Sequence, residues 1–251
     1  MKLEGGGRSP RLEGRAALIT GASRGLGLAI ARALAREGAA VACMARPSAE
    51  LTAAVDGLVG SGARAIPAPA DITEESQVAA AIETAVRALP GLDILVLNAG
   101  TWQGASIEET SESLWDSLMR LNLKGAFFAL KHSIPALKAQ GRGTVVGIAS
   151  LGALVGQPGS AAYAASKWGL RGLLESAALE LKPHRIRVTL VYPHQINSAG
   201  QEIAPGADHD RKLEPEDIAE LVTLACAAPS HVSIGNVTIW PLGTGIRDSM
   251  R

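Results

Sequence analysis

The chain has 251 residues, 24 basic and 24 acidic side chains, a pI near 7.0 and 47% hydrophobic residues. That length suits one large domain, and the balanced charge gives no electrostatic reason for binding nucleic acid or an anionic membrane. The expected partner is a small neutral or modestly charged molecule. Residues 1–14 carry charges and glycines where a signal peptide needs an apolar run, so we predict a loose tail and a cytoplasmic protein. The single predicted domain covers 15–251.

The two cysteines give no sign of a metal site or a disulfide framework. Cys43 and Cys226 lie in apolar surroundings without CxxC spacing, which suits a reducing compartment. The uncharged run 143–166 is long enough to suggest a membrane span, but it contains Gln157, Pro158 and several glycines. A strand followed by a loop is the simpler interpretation, so we expect neither a bound metal nor a membrane segment.

Short apolar runs alternate with helical periods from residue 16 onward. The predicted strands are 16–20, 40–45, 65–70, 92–98, 144–148, 187–192 and 236–240, of which 65–70 is the weakest because of its prolines. Six helices are predicted. The first follows the first strand and ends at Gly38, the second covers 48–59, and the third runs from a Thr73 cap to Pro90. The fourth and fifth cover 111–140 and 160–181, and the sixth begins near Pro215. This alternation predicts an α/β fold: a single-domain, Rossmann-type doubly wound parallel sheet of about seven strands, with helices on both faces and ligands at the carboxyl ends of the strands.

The first predicted strand leads directly into a glycine-rich turn, TGASRGLG (20–27). Gly21, Gly25 and Gly27 would permit a tight turn, close approach of the backbone to a pyrophosphate, and close packing of helix on strand. The spacing alone is weak evidence because glycine is abundant in this chain. Its position between a strand and a helix favours dinucleotide binding over a purely structural turn.

The end of the second predicted strand indicates which dinucleotide is bound. An NAD site usually has an acidic residue there for the ribose 2′-hydroxyl, whereas this chain has Ala45 and then Arg46. A guanidinium at this position, together with Arg24 in the glycine turn, suits a 2′-phosphate. The alternative is that both arginines are solvated surface charges. We predict NADP(H) in preference to NAD(H).

Tyr163 and Lys167 are four residues apart in an alanine-rich helix, so both side chains lie on one face. Two tyrosines and seven lysines would give this spacing by chance only ~0.06 times. An ammonium beside a phenol favours the phenolate and lowers the pKa of the phenol toward neutrality, which makes the pair a plausible acid/base device. Taken in isolation, a core tyrosine beside an exposed lysine is the alternative.

Taken together in their order and spacing, these motifs resemble those of the short-chain dehydrogenases/reductases. The resemblance covers about residues 12–245 and rests on TGASRGLG, Asp71, the NAG of 98–100, Asn122, Ser150 and YAASK (163–167). It implies an NADP(H)-dependent oxidoreductase acting on a carbonyl or secondary alcohol, such as a carbonyl reductase, an alcohol dehydrogenase or a 3-oxoacyl reductase. The Tyr–Lys spacing sets it apart from the relatives that reduce enoyl thioesters. The resemblance also implies a homotetramer or homodimer formed through the two long helices.

The resemblance assigns roles to particular residues. Tyr163 would exchange the proton with the substrate, Lys167 would lower the pKa of Tyr163 and bind the nicotinamide ribose, and Ser150 would orient the carbonyl. Asn122 would hold a water that relays protons to Lys167. The implied cofactor-binding residues are Gly21, Ser23, Arg24, Gly25, Leu26, Gly27, Arg46, Asp71, Ile72, Asn98, Ala99, Gly100, Tyr163, Lys167, Pro193, Ile196 and Ser198.

One position departs from the family pattern. His194 stands where the family usually has glycine after Pro193, which adds bulk near the expected nicotinamide. His194 either packs, faces solvent, lines the substrate pocket or contacts an acidic substrate, and we assign it no catalytic role. Trp102, Leu151, Val155 and Gln157 are expected to border that pocket with the loop 199–214. The alternative function is a non-catalytic NADP(H)-binding sensor or scaffold of the same fold.

Overall fold

The computed structural model describes residues 10–197 and 212–243. Its strands are β1 (Ala16–Thr20), β2 (Ala40–Ala45), β3 (Ala65–Pro69), β4 (Ile94–Leu97), β5 (Gly143–Ile148), β6 (Ile186–Pro193) and β7 (Asn236–Ile239). Its α-helices are α1 (Gly25–Arg36), α2 (Ala49–Gly60), α3 (Glu75–Ala88), α4 (Glu112–Leu118), α5 (Gly125–Ala139), α6 (Ala161–Leu181) and α7 (Pro215–Ala227).

The seven strands form one parallel sheet in the order β3-β2-β1-β4-β5-β6-β7. Two apolar clusters cover it, with α1, α2 and α7 contributing to one and α3, α5 and α6 to the other. The predicted doubly wound Rossmann-type fold is therefore confirmed. The strand order reverses between β1 and β4, and in such sheets the crevice at the carboxyl ends of the two strands beside the reversal binds ligands.

The sequence pattern of each strand follows its place in the sheet. β1, β4 and β5 are buried at every residue because helices cover both faces. β3 is only partly buried, with Ala65 and Ala68 in the interior and Pro67 and Pro69 exposed. It lies at one edge of the sheet, where a proline costs no hydrogen bond on the open side.

The predicted Thr73 cap is wrong. α3 begins at Glu75, and Glu74 occupies the cap position. Both the backbone N–H and the hydroxyl of Thr73 donate to Oδ1 of Asp71, at 2.9 and 2.8 Å. An aspartate two residues upstream thus folds this segment into a local turn before the helix can begin.

The predicted helix 111–140 is interrupted at its centre. Between α4 and α5, residues Met119–Lys124 form a π-helical segment that contains Asn122. Such wide turns are frequent at functional sites, because they displace side chains from the regular helical face. Apolar periodicity gives no signal for one extra residue in a turn, so the sequence predicts a continuous helix.

Arg187 joins β6 to the connection between α7 and β7. Its guanidinium donates to the hydroxyl of Thr144 and to four backbone carbonyls at distances of 2.8–3.3 Å. The four carbonyls are those of Cys226, Ala228, Pro229 and Val232. One side chain therefore satisfies the end of a helix and the loop that follows it.

Replacement of Arg187 by methionine should lower the free energy of unfolding by about 2 kcal/mol or more, because it leaves several partly buried carbonyls without a donor. Arg64→Met is the matched control, since Arg64 is exposed and donates to the single carbonyl of Ala88. Urea denaturation followed by circular dichroism measures both variants. Equal losses in the two would contradict the role given to Arg187.

Candidate active site

The glycine-rich turn between β1 and α1 requires glycine for steric reasons. Gly21 has a φ of +69°, a region that side chains disfavour. At Gly27 an added Cβ would lie 2.2 Å from the carbonyl oxygen of Gly21, so any larger residue would push α1 away from the turn. The turn and the beginning of α1 are thus packed against each other, as a phosphate-binding turn needs.

Thr20 and Asn98 fasten this turn to the end of β4. The Thr20 hydroxyl donates to the Val96 carbonyl and accepts from the backbone N–H groups of Asn98 and Ala99 at 2.9 and 3.0 Å. The Asn98 amide donates to the carbonyls of Thr20, at 2.9 Å, and Gly21, at 3.3 Å. Asn98 was expected to line the dinucleotide, but its side chain holds the glycine turn. The sequence analysis did not predict the role of Thr20. The only signal for it was a polar residue at the end of an apolar strand, directly before the turn.

The predicted phosphate-binding arginines are exposed at the same edge of the sheet. Arg24 occupies the cap position of α1 and Arg46 follows β2. The backbone N–H of Thr73 donates to Asp71 and holds the pKa of that carboxyl below its usual value. The Thr73 hydroxyl and the charges of Arg46 and Arg120 lower this pKa as well. Asp71 is therefore a carboxylate at neutral pH, with one oxygen engaged by Thr73.

Ile72 and the loop after β6 contribute less to this edge than their positions in the chain suggest. The Ile72 side chain is buried, and its atoms would lie 3.1 Å from a Cβ added at Gly125. Pro193 is the buried last residue of β6, and Ile196 is partly buried and pairs with Leu213 in an isolated bridge. The cofactor contacts predicted for them stay predictions, and Ser198 lies outside the described residues, as does most of the loop 199–214.

Lys167 is buried in α6 one turn after Tyr163. Its Nζ lies 5.9 Å from the centroid of the Tyr163 ring and donates to the carbonyl of Ile148, at the end of β5, over 2.9 Å. Burial of the ammonium lowers the pKa of Lys167 to about 8. The predicted alternative of an exposed lysine beside a core tyrosine is thus wrong, since Lys167 is the more deeply buried of the two.

Ser150 follows β5 and lies against the phenol of Tyr163. Its hydroxyl accepts from the backbone N–H of Gly152 at 3.1 Å, and its hydrogen bond to Tyr163 favours the phenolate. Burial has the larger effect, however, and raises the pKa of Tyr163 above its ordinary value. The net shift is therefore upward rather than toward neutrality, because desolvation of the phenolate outweighs the favourable hydrogen bond from Ser150. The lowering effect expected of the Lys167 ammonium stays a prediction. Tyr163 is therefore a protonated phenol at neutral pH.

Asn122 is fully buried in the π-helical segment, and protein groups engage its whole side-chain amide. Oδ1 accepts from the backbone N–H of Thr101, and Nδ2 donates to the Thr101 carbonyl and to the hydroxyl of Ser166, all at 2.9–3.0 Å. The predicted relay water therefore has only the second lone pair of Oδ1 and the backbone carbonyl available. Thr101 and Ser166 were missed; the only signal for Ser166 was a hydroxyl beside Lys167 in a helix of alanines.

His194 is partly buried rather than directed wholly to solvent. Its backbone N–H donates to the carbonyl of Ile239 at 3.0 Å, which joins the loop after β6 to the end of β7. Burial lowers the pKa of the imidazole, so His194 is neutral at pH 7.

Within residues 10–197 and 212–243 no cluster of three or more His, Cys, Asp or Glu side chains has the arrangement of a metal site. In the same ranges no helix combines the length and apolar character needed to cross a bilayer.

Known proteins with similar sequences and structures share this architecture. The family model described as short chain dehydrogenase matches residues 15–205. The short-chain dehydrogenase/reductase eriH of Hericium erinaceus is 38% identical over 87% of this chain and 93% of its own length. The 3-alpha-(or 20-beta)-hydroxysteroid dehydrogenase of Mycobacterium tuberculosis is 33% identical over 90% of this chain and 88% of its own. A metagenomic short-chain oxidoreductase, solved in complex with NADP, is 37% identical, covers 92% of this chain and 98% of its own, and superimposes with a TM-score of 0.81.

Three findings agree with one another. The family model covers most of the chain, and the relatives align over nearly their whole length. The fold also brings Ser150, Tyr163 and Lys167 together beside the ends of β4 and β5. The chain belongs to the short-chain dehydrogenase/reductase family.

Proposed function

We propose that this chain is an NADP(H)-dependent oxidoreductase that interconverts a carbonyl compound and a secondary alcohol. The observation that carries this proposal is the juxtaposition of Ser150, Tyr163 and Lys167 at the carboxyl edge of the sheet. The nicotinamide cofactor, when bound, supplies or accepts the hydride. Every other requirement of the reaction falls on side chains of the protein.

In the reducing direction Tyr163 donates its phenolic proton to the carbonyl oxygen. Its raised pKa keeps that proton in place at neutral pH, which is the state that a general acid needs. Ser150, which lies beside the phenol, gives its single hydroxyl proton to the same carbonyl oxygen once substrate is bound, and so orients it. Once the proton has left, the ammonium of Lys167 stabilises the phenolate through its positive charge.

The turn after β1 fits a dinucleotide phosphate. α1 begins without an acidic residue in its first turn, and in the described structure no side chain hydrogen-bonds its cap. Its first N–H groups and its dipole are therefore available to a pyrophosphate. Of the relatives above, the metagenomic oxidoreductase was solved with NADP.

Preference for NADP(H) is supported by the charges beside this turn. Arg24 and Arg46 are both exposed at the sheet edge, and Arg46 lies close enough to Asp71 to influence its pKa. A guanidinium after β2 forms charge-assisted hydrogen bonds with a 2′-phosphate. Neither arginine is in an ion pair within the described structure by a 4.0 Å criterion, so both can meet a phosphate.

The substrate that fits best is largely apolar and has a carbonyl or hydroxyl group. Trp102 follows the NAG segment with 64% of its surface exposed, and its ring lies against Gly104, where a Cβ would be 2.9 Å from Cζ2. Gly104 in turn approaches the Gly159 carbonyl, just before α6. The indole is thus held beside the helix that carries Tyr163, where it offers a flat apolar surface. A relative named as a hydroxysteroid dehydrogenase is consistent with such a substrate.

The protein is further proposed to be a cytoplasmic homo-oligomer. Aromatic side chains on α4, α5 and α6 are exposed, with Trp115 and Phe127 at 42% and Trp168 at 48%. Trp115 also lines a groove of about 380 Å³ between the start of α4 and the start of α6. Apolar surface of this kind on neighbouring helices suits a second copy of the chain. Cys43 and Cys226 are buried free thiols, as a reducing compartment allows.

Tyr163→Phe should lower turnover by at least ~10²-fold while NADPH still binds, because the variant keeps the ring and loses the proton. NADPH oxidation is followed optically across a panel of ketones, quinones and 3-oxoacyl thioesters, and NADPH binding by fluorescence. Tyr192→Phe is the control, since Tyr192 is the other tyrosine and bonds Asn236 at 3.3 Å. Full activity of Tyr163→Phe refutes the mechanism, and a wild-type protein that binds NADPH but is inactive on the whole panel favours a scaffold.

Arg46→Ala should weaken NADPH binding by about 2 kcal/mol and NADH binding far less, because only NADPH has the 2′-phosphate. Arg36→Ala is the matched control, since Arg36 is also exposed but lies at the other end of α1. Isothermal titration with each cofactor measures the affinities. If Arg46→Ala weakens both cofactors equally, the 2′-phosphate assignment fails.

Light scattering should give a mass of two or four times 25.8 kDa for the wild-type protein. Trp168→Glu should lower that mass, because a buried carboxylate at an interface is costly. Val59→Glu, on the exposed face of α2, is the control and should leave it unchanged. A wild-type mass of 25.8 kDa would contradict the oligomer.

A further inference from the structure

Ser166 lies between the two residues of the acid/base pair and makes two buried hydrogen bonds. Its hydroxyl donates to the carbonyl of Tyr163 at 2.7 Å and accepts from Nδ2 of Asn122 at 3.0 Å. None of its surface is exposed. The first bond is the common one between a helical hydroxyl and the preceding turn, whereas the second crosses from α6 to the π-helical segment.

A hydroxyl has one proton, and Ser166 gives it to Tyr163. Toward Asn122 it can therefore only accept, so it selects the NH₂ end of that amide. Thr101 completes the arrangement from the opposite side, where its N–H donates to Oδ1 and its carbonyl accepts from Nδ2. Both N–H groups of Asn122 are thus satisfied, and removal of Ser166 would leave one of them buried without an acceptor.

The Asn122 amide and the Lys167 ammonium border the same small space. A Cβ added at Gly100 would lie 3.0 Å from Oδ1 of Asn122 and 3.5 Å from Nζ of Lys167. The amide thus presents its negative end toward the side of the ammonium, where it favours the charged form. Rotation of that amide in search of a new acceptor would remove part of this support.

We propose that Ser166 is a positioning residue: by holding the Asn122 amide, it maintains the electrostatic support of the Lys167 ammonium. The proposal rests on the function proposed above for Tyr163 and Lys167, but its effect on Lys167 can be measured without turnover. A hydroxyl that served only to fill the core would need no bond beyond its own helix, as the buried hydroxyl of Thr223 shows with the Ala219 carbonyl.

The test is an NMR titration of Lys167 in protein labelled with ¹³C-lysine, with Lys167→Met to assign the signal. Burial lowers the pKa of Lys167 to about 8 in the wild-type protein, within a convenient range. In Ser166→Ala the pKa should fall by about half a unit or more, because Nδ2 of Asn122 loses its Ser166 acceptor and the amide can rotate away from its present orientation. Ser166→Thr keeps the hydroxyl and should restore the wild-type value.

Two further variants complete the design. Ser166→Cys has nearly the volume of serine but accepts weakly, so it should resemble Ser166→Ala even if threonine does not fit. Ser133→Ala is the control, since Ser133 is a buried helical serine whose hydroxyl has no hydrogen-bond partner among the residues that the structure describes. It should leave the pKa of Lys167 unchanged.

Stability and turnover separate the possible results. If Ser166→Ala lowers the urea midpoint while the pKa of Lys167 stays constant, Ser166 is merely structural and the proposal is overturned. A fall in that pKa, accompanied by a ~10-fold lower kcat and an unchanged KM for NADPH, supports it. If the wild-type protein shows no Tyr163-dependent turnover and the pKa still falls, the positioning role stands and the oxidoreductase proposal fails.

Discussion

The candidate site depends on one costly arrangement, an ammonium buried inside a helix-covered sheet. Lys167 has 5% of its surface exposed and a single described backbone acceptor, the Ile148 carbonyl. An unfolded lysine keeps its proton up to about 10.5, whereas burial lowers the pKa of Lys167 to about 8. Because the unfolded chain binds more protons between these values, Lys167 opposes folding at neutral pH and the stability rises with pH across this window. Such a cost indicates a site shaped by function rather than by stability.

Small residues make this burial possible. Ala162 precedes Tyr163 in the interior, and Gly152 leaves room for the phenol, since a Cβ there would lie 3.2 Å from Cε1. Gly100 does the same between Asn122 and Lys167. Each missing side chain brings a backbone closer to a reactive group, so the alanines and glycines around the pair determine the distances within the site.

The sequence was sufficient to predict the fold and the pairing of Tyr163 with Lys167 in the candidate site, because both depend on patterns that are local in the chain. Apolar runs predicted seven strands, and the i, i+4 spacing put Tyr163 and Lys167 on one face. It was not sufficient where another group competes for the same side chain. Asp71, two residues away, engages the hydroxyl of Thr73 that was expected to cap α3. The Ile148 carbonyl accepts one N–H of the Lys167 ammonium, a contact that the local spacing does not predict. The Asn98 side chain likewise turns to Thr20 and Gly21, 77 or more residues away.

The two perturbed groups favour reduction under the proposed mechanism. Burial raises the pKa of Tyr163, so the phenol that reduction consumes is present throughout the neutral range. Oxidation needs the phenolate, which becomes accessible only at higher pH. Above about 8, however, Lys167 loses the positive charge that would stabilise the phenolate. Raising the pH therefore promotes one requirement of oxidation while it removes another, so the protein supports oxidation only in the pH range where the two requirements overlap.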